Sequence, residues 1–390
     1  MTDSTTRSGE NATTVYAALE VSGRSWILAV GDPSDVSRAG LHGLEPHDVD
    51  GLPGKLRRAR ERAAAPSGGD VRVMLVYEAG YEGFWLARRL EGEDLGVVVR
   101  DPASLEVAGG RKKAKTDRID ARRMVRAPPA WDGGDRDAMS PVRIPTVAEE
   151  EGRRLLRRRE RLVRERLRLA SAVAGLLRLH GVPPGDPSKA GFRKRLAGMR
   201  TGYGTALPPG LLAEIGGILD RLELAVAELK TVEAGKAAAL KAARDGAAEV
   251  PAHARHAAAL VRLRGIGPND ALLLGTELFY RDFRNRRELA SLAGLAPVPW
   301  ASGSVDHDQG ISKAGSPMLR KHLARMAWRW LRHQPDSALS RWFGEYVSAR
   351  DGRARKRGIV ALARKLLVAL WRFATTGLVP EGAILSKARA

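Results

Sequence analysis

The sequence predicts an α/β domain followed by an α-helical remainder. Three observations carry that expectation. Short apolar runs alternate with helical patterns up to residue 127. A heptad column of leucines begins after residue 149, and basic amphipathic helices dominate beyond residue 251. The segments are an α/β domain over 1–127, a linker over 128–148, a helical coiled-coil stalk over 149–250 and a mainly α-helical C-terminal domain over 251–390. A length of 390 residues suits two or three domains.

In the first domain Val15–Leu19 is an apolar run ending at Glu20, and Trp26–Val30 is a second, separated from it by a Ser-Gly-Arg turn. Val71–Tyr77 is a third strand, ending at Glu78. A helix over Gly83–Leu90 precedes a strand over Gly96–Val99. This alternation predicts βαβ units and a mostly parallel sheet. Thr116 caps a helix from Asp117 to about Val125, which Pro128-Pro129 stops. Four prolines with several Gly and Asp make 128–148 a linker.

The stalk helix starts at Glu149-Glu150-Glu151, acids that suit a helix N-terminus. Leu155, Leu162, Leu169 and Leu176 recur every seven residues, so a helical hairpin or coiled coil is expected. Gly181 to Pro184 ends it, and Leu211–Ala243 is a candidate return arm. In the last domain Gly265-Ile266-Gly267 between two helical runs resembles a helix-hairpin-helix turn, where backbone amides can approach a phosphate. A tight interhelix turn explains the same residues. Gly294 to Gly310 reads as loop. Ser316–Leu331 and Ile359–Phe373 read as basic amphipathic helices.

Composition narrows the function. The absence of cysteine excludes a disulfide scaffold, a cysteine–zinc site and a cysteine nucleophile. No run of about 18 apolar residues predicts a spanning helix, and Met1 to Ala12 lacks the apolar core of a secretory signal, so a soluble cytoplasmic protein is expected. The net charge is +21, and it is unevenly placed: residues 1–127 hold 20 Lys+Arg against 19 Asp+Glu, and residues 128–390 hold 46 against 26. A basic chain of this size calls for a polyanion, and nucleic acid is the obvious one. Arg outnumbers Lys 52 to 14, which suits bidentate phosphate binding. Solvated helix faces account for part of the same excess.

Four acids stand out by position. Glu20 and Glu78 close apolar strands, and Asp117 and Asp120 share one face of a helix start. Carboxylates that converge repel one another unless a cation sits among them, and magnesium suits oxygen ligands and phosphate substrates. Each acid alone has an ordinary explanation, such as a helix-terminal charge for Asp117. Glu82 reads as solvent-facing. Lys112, Lys113 and Lys115 precede the aspartates and are candidates for steering a phosphate toward them.

Together these residues resemble a known family. Tyr16-Ala-Ala-Leu-Glu20-Val-Ser, Tyr77-Glu78-Ala-Gly, Asp101-Pro102 and Lys115-Thr-Asp117-Arg-Ile-Asp120-Ala resemble the DEDD transposases of the insertion-sequence one-ten family. Leu263-Arg-Gly265-Ile-Gly267-Pro, Leu292-Ala-Gly294-Leu-Ala-Pro297, Ala301-Ser302-Gly303 and Ile311-Ser312-Lys313-Ala-Gly315 continue the resemblance in the same order. The resemblance implies an RNase-H-like (RuvC-type) first domain whose four acids bind Mg2+, and a C-terminal serine that attacks DNA and forms a covalent link. It also implies a site-specific recombinase that moves its own element, acting on the nucleoid. A structured noncoding guide RNA that pairs with target and donor DNA would be its partner, in a dimer or tetramer whose active sites draw on two protomers. The family's usual first acid is Asp; Glu20 sets its carboxylate one methylene further out.

Ser302, Ser304 and Ser312 are the candidate nucleophiles. A serine hydroxyl needs a base, a metal or nearby cations to become reactive. The resemblance selects Ser302, and it implies that Lys313, Arg320 and Lys321 hold the scissile phosphate or nearby backbone. Ser312 reads as a loop or helix-capping residue. Two other readings remain open: a junction-resolving nuclease that uses water at the four acids, and a nucleic-acid-binding relative without catalysis. An aromatic content of 5 % does not suggest extensive base stacking.

Overall fold

The computed structural model describes residues 13–32, 35–67, 70–80, 82–101, 116–246, 250–302, 305–313, 315–349 and 354–386. The chain forms two compact units, Met1–Pro145 and Thr146–Ala390.

The first unit is built on a sheet of β1 (Thr13–Val21), β2 (Trp26–Val30), β3 (Gly40–Leu44), β4 (Val71–Glu78) and β5 (Gly96–Arg100), in the order β3-β2-β1-β4-β5. β1 pairs in parallel with β4, and β4 with β5, while β1–β2 and β2–β3 are antiparallel. The expected mostly parallel sheet is therefore mixed. The reason is local: Ser22 Oγ accepts from the Ser25 amide at 3.2 Å and closes a tight turn after β1. Strand alternation gives the sheet two faces. Val15, Ala17, Leu19, Leu75 and Tyr77 face Leu52 and Leu56 of α1 (Gly51–Ser67) and Leu86 of α2 (Trp85–Arg89). Ala18, Met74 and Val76 face Ala121 and Met124 of α3 (Asp117–Met124). Thr116 caps α3 as expected, accepting from the Ile119 amide at 3.3 Å. Pro128 and Pro129 begin a further short helix, α4 (Ala127–Asp132), rather than only ending the one before. Proline suits a first helical turn, where its missing N–H costs nothing.

The second unit opens with α5 (Val147–Leu179). Thr146 and Glu149 form a capping box, with the Thr146 amide donating to Glu149 at 2.8 Å. α6 (Phe192–Leu196) follows, then α7 (Pro209–Arg244), which returns along α5. Leu169, Val173 and Leu177 pack against Leu211, Ile215 and Leu222, while Gly235 lies by Leu155, so the pair is an antiparallel hairpin. Its arginines meet acids: Arg158 reaches Glu228 at 2.8 Å and Arg159 reaches Glu233 at 2.6 Å.

α8 (Ala252–Leu260), α9 (Pro268–Glu277), α10 (Arg286–Leu292), α11 (Pro317–His333), α12 (Ala338–Ser348) and α13 (Ala354–Thr376) surround the largest core, centred on Leu323, Met326, Trp330, Leu366 and Leu370. Leu156 and Leu240 join that core, so the helical hairpin is anchored in it. The segment read as loop contains a β-hairpin, β6 (Pro297–Ser302) and β7 (Val305–Ile311). Two prolines hide β6, because proline seldom sits inside a ladder; the register shift between Pro297 and Pro299 accommodates them.

His322 ties three helices together. Its Nε2 lies 3.0 Å from Glu160 of α5, and its Nδ1 lies 3.4 Å from Asp270 of α9, which also pairs with Arg329. Burial works to raise the Glu160 carboxyl, but the hydrogen bond and charge of His322, with Lys321 and Arg159, outweigh it and hold the group below its usual value. A depressed folded-state pKa contributes stability above the unfolded value of about 4.3, and that contribution is lost as pH falls through the folded value. The Tm advantage of the natural chain over Glu160→Gln is therefore expected to be full above about pH 5 and to shrink on further acidification. A Tm difference that stays constant down to pH 3 would refute the assignment.

Candidate active site

In the parallel register Leu19 of β1 faces Tyr77 of β4. Glu20 and Glu78 follow one step on, at neighbouring strand ends. Alternation sets both on the face of Ala18 and Val76, the face that α3 covers. Asp117, Asp120, Ala121 and Met124 fall on one stripe of α3, so the aspartates extend its buried face by a turn. The helix direction then decides where they lie. Val125, just past the end of α3, sits against Gly31, whose amide donates to the Tyr16 carbonyl at 2.8 Å. α3 thus runs back toward the start of β1, and its first turn lies at the strand ends that carry Glu20 and Glu78. All four acids share one end of one sheet face.

Glu78 forms an ion pair with Arg100, the last residue of β5, whose side chain is 0 % exposed. Arg100 Nε and Nη1 are buried with no hydrogen-bond partner among the described residues. Asp120 lies 3.9 Å from Arg123. Among the described residues, no three His, Asp or Glu side chains come close enough to form a metal-holding group. The residue types suit magnesium, four carboxylates and no thiol at one end of one face, but among the described residues their side chains do not form a metal-holding group. Arg100 supplies a countercharge at Glu78.

Glu82 corrects its expectation. It is buried, accepts from Trp85 Nε1 at 2.9 Å and lies 3.7 Å from His47, so it anchors the start of α2 instead of facing water. Lys112, Lys113 and Lys115 lie outside the described residues.

Ser302 is the last residue of β6 and pairs with Val305 at the hairpin tip. Ser304 lies outside the described residues. Ser312 follows β7, its amide donating to the Ala296 carbonyl at 2.9 Å. The helix-capping role falls instead to Ser316, which accepts from the Leu319 amide at 3.3 Å. The hairpin base is tightly fixed. Gly294, at φ +66°, lies against Gly315 with no room for a Cβ on the latter. Arg320 packs over Gly294 and donates to the Lys313 carbonyl at 3.2 Å, while Lys313 and Lys321 are exposed.

The Gly265–Gly267 turn joins α8 to α9 as expected, at φ +92° for Gly265. His333 packs directly on Gly265, and Asp270 and Arg329 stand beside Gly267. Gln334, fully buried, donates to the carbonyls of Arg264 and Ile384 at 2.9 and 2.8 Å. These contacts make the turn a packed joint. Arg100 only closes an apolar run, and His322 and Gln334 have no signature in the sequence.

Removing one partner of a buried ion pair costs more than removing both. Glu78→Gln is expected to destabilise the chain by about 3 kcal/mol, with part of the loss recovered in Glu78→Gln/Arg100→Leu. Chemical denaturation of the four proteins of this cycle measures it. Equal stability of the natural chain and the single variant would mean that Arg100 does not depend on Glu78.

The family described as "Transposase IS116/IS110/IS902 family" matches residues 257–341, from within α8 to within α12. The chain is 43 % identical over 377 residues to "Putative transposase y4rJ" of Sinorhizobium fredii (strain NBRC 101917 / NGR234), covering 95 % of this chain and 94 % of that protein. It is 26 % identical over 268 residues to "Transposase for insertion sequence element IS1111A" of Coxiella burnetii (strain RSA 493 / Nine Mile phase I), 68 % of each chain. The first of these matches runs through both compact units, the acid-bearing sheet and the serine hairpin alike, and the chain accordingly belongs to the IS116/IS110/IS902 transposase family.

Proposed function

We propose that the chain cleaves and exchanges DNA strands through a covalent serine intermediate, to move an insertion sequence. The observation that carries this reading is that Glu20, Glu78, Asp117 and Asp120 fall at one end of one sheet face, in a chain whose relatives are named transposases.

In this reading the Ser302 hydroxyl gives up its proton to a base as Oγ attacks a DNA phosphorus. A phosphoserine ester bond forms, the bond from phosphorus to one sugar oxygen breaks, and that oxygen leaves as a hydroxyl after taking a proton. Attack by a sugar hydroxyl of a second strand reverses the step, joining the new strands and releasing the serine. Magnesium held by the four carboxylates would supply charge stabilisation for the pentacoordinate phosphorus. The backbone at the foot of the hairpin is held by Gly294, Gly315 and Arg320, which in this reading supports the strand that carries Ser302. In this reading Lys313, Arg320 and Lys321 meet the phosphate backbone. A noncoding guide RNA and a dimer or tetramer belong to this reading as partners.

The test uses the full chain with magnesium, end DNA and RNA flanking the element, resolved on a denaturing gel. A protein–DNA adduct is expected, lost in Ser302→Ala and reduced at least a hundredfold in Asp117→Ala or Asp120→Ala, the scale of losing a transition-state contact. An adduct that survives Ser302→Ala would move the nucleophile elsewhere. Free cleaved ends without any adduct would replace the reading with hydrolysis by water.

A further inference from the structure

The second unit contains a cleft of about 1130 Å³ between α10, α12, α13 and the segment 378–381. Cations line it: Arg286 and Arg287 from α10, and Arg364, Lys365 and Arg372 from α13. The carboxylate among its lining residues, Glu381, is already paired with Arg341 at 3.3 Å. Lys365 lies 4.6 Å from the Trp342 ring, which holds its ammonium in place. No ion pair or side-chain hydrogen bond engages the guanidinium groups of Arg286, Arg287, Arg364 or Arg372 among the described residues. Elsewhere in this unit Arg157, Arg158 and Arg159 of α5 and Arg193 of α6 each meet an acid.

Unpaired charge gathered in a concave site costs repulsion, and a polyanion relieves it. The geometry has the right pitch. Arg364 and Arg372 stand two turns apart on one face of α13, about 12 Å at 1.5 Å per residue. Along that length one DNA strand presents roughly three or four phosphates at 3.4 Å each. The cleft's lip is apolar, with Leu378 64 % and Val379 39 % exposed. Such a lip suits the carbon face of deoxyribose; a ribose would bring a 2′-hydroxyl that wants solvent or a polar partner. The cleft reaches Ala296 and Pro297, at the head of the strand that ends in Ser302.

We propose that this cleft is a docking surface for the phosphate backbone of duplex DNA, holding it alongside the β6–β7 hairpin. Contacts to phosphate position the duplex and carry no sequence preference. The choice of DNA rests on the transposase reading; the binding itself does not need the chemistry, and it is measured without magnesium.

The experiment compares the full chain, Arg286→Gln/Arg364→Gln/Arg372→Gln, and a charge-matched control, Arg154→Gln/Arg161→Gln/Arg168→Gln, on the α5 face. Binding of a 30-base-pair duplex of arbitrary sequence, and of an RNA hairpin of similar length, is titrated over a series of salt concentrations in EDTA. Circular dichroism confirms that each variant keeps its fold. The cleft variant is expected to bind duplex DNA at least tenfold more weakly. Its slope of log K against log salt should be shallower by about 2 to 3, near 0.9 for each phosphate contact removed. The control should stay within threefold. Unchanged DNA binding in the cleft variant would overturn the proposal, as would an equal loss in the control or a loss confined to the RNA. A chain that forms no serine adduct yet shows the expected slope change would disprove the covalent reading and leave the cleft standing.

Discussion

The parallel register of β1 against β4 is the constraint on which the candidate site depends. Side chains alternate with a period of two, so a slip of one residue exchanges the two faces of a strand. Slipped by one, Glu20 would enter the cluster of Leu19, Tyr77 and Leu86, and the apolar Ala18 face would lose its match to α3. The cost of burying that carboxylate without a partner holds the register. The same packing fixes α3, because Ala121 and Met124 fit only one face of the sheet. Asp117 and Asp120 reach the strand ends because they lie one turn ahead of those two residues. Hydrophobic packing thus brings the acids to one end of the face, and Arg100 answers the charge of Glu78.

Charge in the second unit divides by whether it is answered. Along α5 many guanidinium groups are consumed by acids of α7 and α9, and such exposed pairs contribute little to stability. Their effect is to fix which faces of two long helices meet. On α10 and α13, Arg286, Arg287, Arg364 and Arg372 have no such partners among the described residues, and there the excess is available to a ligand. A sequence count treats both populations alike, so the strong positive balance of the C-terminal part indicates a polyanion without locating it.

What the sequence disclosed follows the range of the interactions involved. β1, β2, β4 and β5 were legible because each is a continuous apolar run, and α3 because Thr116 is a good cap. The pairing of α5 with α7 was legible because leucines recur along the first and a return arm follows. β3 and α1 were missed, since Gly-Leu-His-Gly-Leu is a poor strand former and α1 is dominated by Arg and Ala. The β6–β7 hairpin was missed because prolines mask it. Glu82 was misjudged because its burial comes from Trp85 and His47 folding over it, and nothing in the local pattern announces that. The four acids stand out in the sequence as two strand ends and one helix start; their common face required the register.

The resemblance implies a shorter acid, Asp, where this chain has Glu20, and the structure narrows how Glu20 could stand in for it. An added methylene can be absorbed by the backbone drawing back or by the side chain folding. β1 is the central strand, bonded to β2 through Glu20 facing Ile27 and to β4 through Leu19 facing Tyr77. Moving its end would break ladder hydrogen bonds on both sides and shift Leu19 within a close-packed core. The side chain has three rotatable bonds and half-exposed surroundings, so the adjustment falls there, at the cost of rotamer entropy. Compensation elsewhere in the site is then most economical at a group that can also move. Asp117 and Asp120 are held by a short capped helix, and Glu78 by Arg100. The tolerance for a longer first acid therefore depends on the first turn of α3, whose cap at Thr116 sets the position of both aspartates.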